Sequence, residues 1–212
     1  IFWLKKTNNY TAQQLLLPLE VMQRQSWYLN FNSMQLRISL FIFLTHLSLI
    51  GQEVRKDVND QSSFIQYEGK HLLHDWDGIN QKVKGIAVVD EATDEFVKIA
   101  LLANVRDFDS NNSSRDAHAL EVLEALQYPE IKFYSDEIKY NSKTVRFSGS
   151  LEFHGISITQ SIEADLSKIE LGTELLGEFQ LIPSDFGIEL PSFLSVKMKD
   201  LLRINYRIVI DK

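Results

Sequence analysis

The chain has 212 residues, no cysteine, 44% hydrophobic and 24% charged residues, and a formal net charge of −7. Without cysteine there are no disulfides, thiolate metal sites, cysteine nucleophiles or acylated lipoprotein cysteine. An acidic balance argues against nucleic-acid binding, which needs a basic face, and the apolar share excludes wholesale disorder.

The charge is unevenly placed. Residues 1–52 hold Lys5, Lys6, Arg24 and Arg37 against Glu20 alone, a balance of +3; the other 18 basic and 28 acidic residues give −10. The break coincides with a targeting pattern. Met34 to Arg37 is a short positive start, residues 38–50 (ISLFIFLTHLSLI) are apolar, and Gly51 follows as a small residue. This is the order of a secretory signal. A membrane anchor is the competing reading, but a span needs about 20 apolar residues and this run is shorter. A buried core helix is a third. Residues 34–51 are therefore expected to be a signal peptide, residues 1–33 an upstream or non-native extension, and residues 52–212 the mature domain.

That domain reads as strands. Residues 63–68 alternate and are aromatic, which is strand-like. The following HLLHDWDG stretch reads as a loop. His71, His74, Asp75 and Asp77 in it are competent metal ligands, yet no second cluster of fixed spacing completes a site, so no metal is expected. Trp76 would either plug one end of the fold or meet a ligand head group. Further strands are expected over 83–89, 96–105, 131–138, 144–153, 157–166, 174–182 and 201–210. Breaks fall at 140–143 and at His154-Gly155. About eight strands at 10–12-residue spacing is the rhythm of an antiparallel barrel or sandwich.

One segment differs. Ser113-Ser114-Arg115-Asp116 has the form of a helix start. Leu120, Leu123 and Leu126 recur at helical spacing, and Pro129 stops the run. A helix of about three turns is expected, with its leucines as packing residues. Pro183 to Pro191 reads as a loop before the last strand, with Phe186 and Phe193 closing a mouth or simply packing. No P-loop, dinucleotide fingerprint or nucleophile elbow is present, and Arg115, Asp116 and His118 have no nucleophile paired with them in sequence.

Taken together, several segments resemble the YceI-like family, the periplasmic lipid- or polyisoprenoid-binding proteins. One run carries Ser110, Asn111, Arg115, Asp116 and His118, then Tyr128, Pro129, Ile131 and Phe133. A hairpin carries Gly149, Leu151, His154 and Gly155. The resemblance covers about residues 62–211. It departs after the first strand, where many members continue differently from HLLHDWDG.

The resemblance implies an all-β, eight-stranded antiparallel lipocalin-like barrel with one short helix. An isoprenoid or fatty-acyl chain would lie inside, with no catalysis, no cofactor and no metal. With the leader pattern and the acidic charge, a periplasmic or secreted protein with no nucleic-acid partner and no permanent membrane span is expected; a homodimer is compatible with the sequence. The alternative is an envelope interaction or stress-related scaffold whose barrel is filled.

Candidate ligand-binding residues are Leu102, Phe108, Phe133, Phe147, Phe153 and Ile158, with Trp76, Arg115 and His118 for a polar head. Equal parity puts Phe147, Leu151 and Phe153 on one face of a strand. Alternation alone leaves open whether the 13 phenylalanines line a cavity or fill a core; the resemblance favours the cavity.

Overall fold

The structure is a computed structural model that describes residues 52–70, 75–193 and 196–212, with Gln35 upstream; for Ser192, Phe193, Val196 and Lys197 it describes the backbone only. The signal segment over 34–51 (apart from Gln35), the extension over 1–33, His71 and His74 lie outside the described residues, as does the side chain of Phe193. The chain divides between Gly51 and Gln52 into two units, and the described fold is the second.

In chain order the elements are β1 (Glu53–Asp57), β2 (Phe64–Lys70), β3 (Asp75–Asn80), β4 (Lys84–Asp90), β5 (Glu95–Asn104), β6 (Phe108–Asp109), α1 (Ser113–Val122), β7 (Glu130–Tyr140), β8 (Thr144–Phe153), β9 (Ile156–Ile169), β10 (Gly172–Leu181), β11 (Ser192–Phe193), β12 (Val196–Lys197) and β13 (Leu202–Asp211). Eleven strands form one antiparallel sheet, ordered β1-β4-β5-β7-β8-β9-β10-β13-β2-β3-β6, while β11 and β12 pair separately. The sheet curls. Val58, just beyond β1, bridges Ile210 of β13, and the Asn59 N–H donates to the Val209 carbonyl at 2.8 Å.

The expected eight-stranded barrel is thus corrected to an eleven-stranded curled sheet. The eight expected strands correspond to β2, β4, β5, β7, β8, β9, β10 and β13. The additional ones carry weak signals. β1 (EVRKD) is charged, with every second residue exposed. β3 (DWDGIN) contains Asp75, Asp77 and Gly78, residue types depleted in strands. β6 has two residues.

Alternation does place the core. Val145, Phe147, Leu151 and Phe153 of β8 are buried, as are Ile204, Tyr206, Ile208 and Ile210 of β13. β7 bulges opposite β8 between Ser135 and Glu137. The buried Ser135 hydroxyl donates to the Ser148 carbonyl at 2.8 Å and also reaches that of Glu137. It thereby satisfies carbonyls that the interrupted ladder leaves over.

Two tyrosines tie strands together from inside. The Tyr206 hydroxyl donates to the Glu163 carbonyl at 2.9 Å, and burial pushes it well above its ordinary pKa. The Tyr140 hydroxyl accepts the Phe96 N–H. Burial pushes Tyr140 up to about 12, against the lowering effect of that bond. Both groups are neutral when protonated, so their contribution is complete below the ordinary value of 10.0 and is lost as pH rises through their folded values. The thermal midpoint is therefore expected to fall above pH 10, and less steeply in Tyr140→Phe; superimposable midpoint curves from pH 9 to 12 would contradict this.

Candidate functional site

The interior divides into a filled and a hollow part. At one end Val89, Phe96, Val145, Ala164 and Ile210 are buried in close contact. Phe96 meets Phe147 with ring centroids 5.9 Å apart. Beyond Phe147 the interior opens into a cavity of about 720 Å³, inside the range of roughly 300–1,000 Å³ typical of ligand pockets. Among the described residues the lining is mainly aliphatic and aromatic.

The sheet supplies one side of this cavity. Phe133 of β7 and Phe147, Leu151 and Phe153 of β8 are buried and line it. β10 and β13 add Leu181 and Ile204. Phe153 is held from behind by Phe186, with centroids 5.5 Å apart. Phe186 is fully buried and is not part of the lining, so it packs the core instead of closing the mouth. Its carbonyl lies 3.0 Å from His154 Nδ1, whose other ring nitrogen lies 3.1 Å from Glu124 Oε2.

Helix α1 supplies another side through Ala119, Leu120 and Val122, joined by Leu123 just after it. Its N-cap is Asn112, whose side chain accepts the Arg115 N–H at 3.1 Å. Ser113 is the first helical residue, so the expected Ser113–Asp116 start shifts by one position. Asp116 instead accepts the Ser110 N–H at 3.1 Å and the Ser110 hydroxyl at 2.5 Å, anchoring the helix to the preceding loop. The leucine spacing fails at its end: the helix stops at Val122, Glu124 has φ 45°, and Leu126 is fully exposed.

The structure brings eight of the nine candidate residues to this one cavity: Leu102, Phe108, Phe133, Phe147 and Phe153, with Trp76, Arg115 and His118. Ile158 is not among the lining; it is half-buried and packs against the core. Trp76 lies over Gly69, where a Cβ would come within 2.5 Å of the indole, so its ring both packs and faces the cavity. Phe108 meets Tyr67 at 5.7 Å. Burial raises the Tyr67 pKa, Asp116 raises it further, and Arg115 opposes both. His118 is exposed, 3.7 Å from Glu121.

Sequence reasoning missed Arg106, Tyr67 and Tyr206, which also line the cavity. The two tyrosines were legible by parity within strands already expected. Arg106 sits in a 3₁₀ turn after β5, where no periodicity aims a side chain. Of the metal candidates, Asp77 accepts a hydrogen bond from Gln66 Nε2 at 2.8 Å and Asp75 faces Lys70 at 3.9 Å. Among the described residues no helix is long and apolar enough to cross a membrane.

The YceI-like domain model matches residues 57–210. A UPF0312 protein from Pectobacterium carotovorum subsp. carotovorum is 26% identical over 136 residues, covering 63% of this chain and 70% of that protein. The crystal structure of Burkholderia cenocepacia BcnA superposes with a TM-score of 0.65 at 16% identity, covering 74% of this chain and all of that one. A polyisoprenoid binding domain from Saccharophagus degradans, implicated in plant cell wall breakdown, gives 0.61 at 10% identity, covering 74% of this chain and 97% of that one. Both likenesses concern the fold.

Proposed function

The chain belongs to the YceI-like domain family, and from that premise we propose that it binds a long-chain isoprenoid or similar lipid, without catalysis, with the apolar tail in the cavity. One observation carries this reading: an apolar hollow of about 720 Å³ in an interior whose other end is close-packed. A tail burying roughly 400 Å² of apolar surface there would gain about 10 kcal/mol at about 25 cal/mol per Å², before the costs of immobilisation. No strong polar contact is needed to hold it. The polyisoprenoid binding of the Saccharophagus degradans domain, similar in fold, supports the same ligand class.

Export belongs to the same proposal, resting on the leader pattern over 34–51. A periplasmic or secreted carrier would shield a tail that water excludes. Organic extraction of the purified protein followed by mass spectrometry, with titration of added isoprenoid quinone and fatty acid, tests the reading. The expected result is a lipid at near one per chain, or saturable binding of an added one. Neither a co-purified lipid nor saturable binding would overturn it.

A further inference from the structure

Across residues 53–212 acidic residues outnumber basic ones by ten, yet the cavity lining has the opposite sign. Among the described residues its charged groups are Arg106, Arg115 and Asp116, joined by His118. Asp116 is already held by the two hydrogen bonds from Ser110. Asp107, beside Arg106, is taken by Asn104 Nδ2 at 2.8 Å and Lys82 Nζ at 3.2 Å. Glu121 faces His118. The neighbouring carboxylates are thus committed elsewhere. Neither Arg106 nor Arg115 forms an ion pair among the described residues; of the other described arginines Arg55, Arg146 and Arg207 do, and Arg203 does not.

Arg106 is exposed and Arg115 half-buried at the rim of an apolar cavity, so both guanidinium groups keep water contact while unpaired and are free to exchange it for an anion carried in by a ligand. The planar fork of a guanidinium matches carboxylate and phosphate oxygens and gains little from a neutral oxygen such as a quinone carbonyl or an alcohol. Arg106 reaches the cavity from the turn after β5 and Arg115 from the first turn of α1. They therefore approach from two separate elements, on a lining whose polar side chains also include Tyr67, Trp76, Asn112, Ser114 and Tyr206.

We propose that the cavity selects lipids with an anionic head group, a carboxylate or a phosphate, held by Arg106 and Arg115 while the tail lies on Phe133, Phe147 and Phe153. The proposal rests on the tail-binding reading above and adds the chemistry of the head.

Two matched pairs test it: palmitate against hexadecanol, and geranylgeranyl diphosphate against geranylgeraniol, each titrated into the full chain below its aggregation concentration. At least one anion is expected to bind about tenfold tighter than its own alcohol, the size of a charge-assisted hydrogen bond. Which pair shows the larger ratio identifies carboxylate or phosphate. The ratio is expected to fall towards one in Arg106→Gln and in Arg115→Gln, and to shrink as salt is raised. Arg106 is exposed, so its variant is expected to keep the parent's thermal midpoint. Alcohols that bind as tightly as their anions would overturn the head-group proposal and leave the tail reading standing. No binding by any of the four would overturn both.

Discussion

Gly149→Val is expected to lower stability by about 3 kcal/mol, the upper part of the range for overpacked sites, and the thermal midpoint by roughly 10 °C for a domain of this size. Gly149 of β8 lies directly opposite Ser135, at the bulge in β7. A Cβ at position 149 would come within 2.0 Å of the Tyr134 carbonyl oxygen and 2.8 Å of Ser135 Cβ. Both neighbours are fixed: one is backbone, and the other is a fully buried residue whose hydroxyl satisfies the Ser148 carbonyl. The strands can separate only by giving up those hydrogen bonds. Thermal unfolding of the variant beside Ser150→Val, an exposed position on the same strand, isolates the effect from β-propensity. Equal midpoints for Gly149→Val and the parent would refute the close-approach argument.

Ala119→Trp is expected to remove ligand binding, by on the order of a hundredfold or about 2.7 kcal/mol, without lowering stability. Ala119 sits half-buried on the cavity side of α1. An indole added there enters existing space, and filling a void stabilises by roughly 0.5–2 kcal/mol or is neutral. Loss of binding together with an unchanged or higher thermal midpoint separates occupancy of the cavity from damage to the fold. Unchanged affinity would place the ligand elsewhere.

The strands legible in the sequence are those where alternation and burial coincide. In β8 the buried residues Val145, Phe147, Leu151 and Phe153 alternate with less buried ones because one face meets the interior; in β13 buried Ile204, Tyr206 and Ile208 alternate with half-buried Asn205 and Arg207. β1 and β3 leave little trace in side-chain pattern, since β1 has Val54 alone among charged residues and β3 sets Trp76 and Ile79 among Asp75, Asp77, Gly78 and Asn80, types depleted in strands. The helix start was misplaced by one residue because Asn112, Ser113 and Asp116 are all residue types competent to cap, and only geometry selects Asn112.

The candidate site divides in the same way. Parity aims Phe133, Phe147 and Phe153 inwards, but whether an inward Phe fills or lines depends on how far the opposite wall stands. That distance is set by the curl of the sheet and by α1, neither of which has a local signature. Phe96 and Phe147 share the same alternation and lie 5.9 Å apart, yet only Phe147 lines the cavity. Ile158 pairs with Leu151 across the β8–β9 ladder, which made it a reasonable neighbour for the ligand, although it packs outside the lining. Arg106 carries a charge that becomes meaningful only once its nearby carboxylates are seen to be committed to other partners.

The most direct test of lipid binding in the hollow end is a crystal structure of the protein grown with geranylgeranyl diphosphate. A continuous tube of electron density running along Phe133, Phe147 and Phe153 beneath α1 is expected. A cavity closed by collapsed side chains, or density confined to the outer face of the sheet, would contradict it.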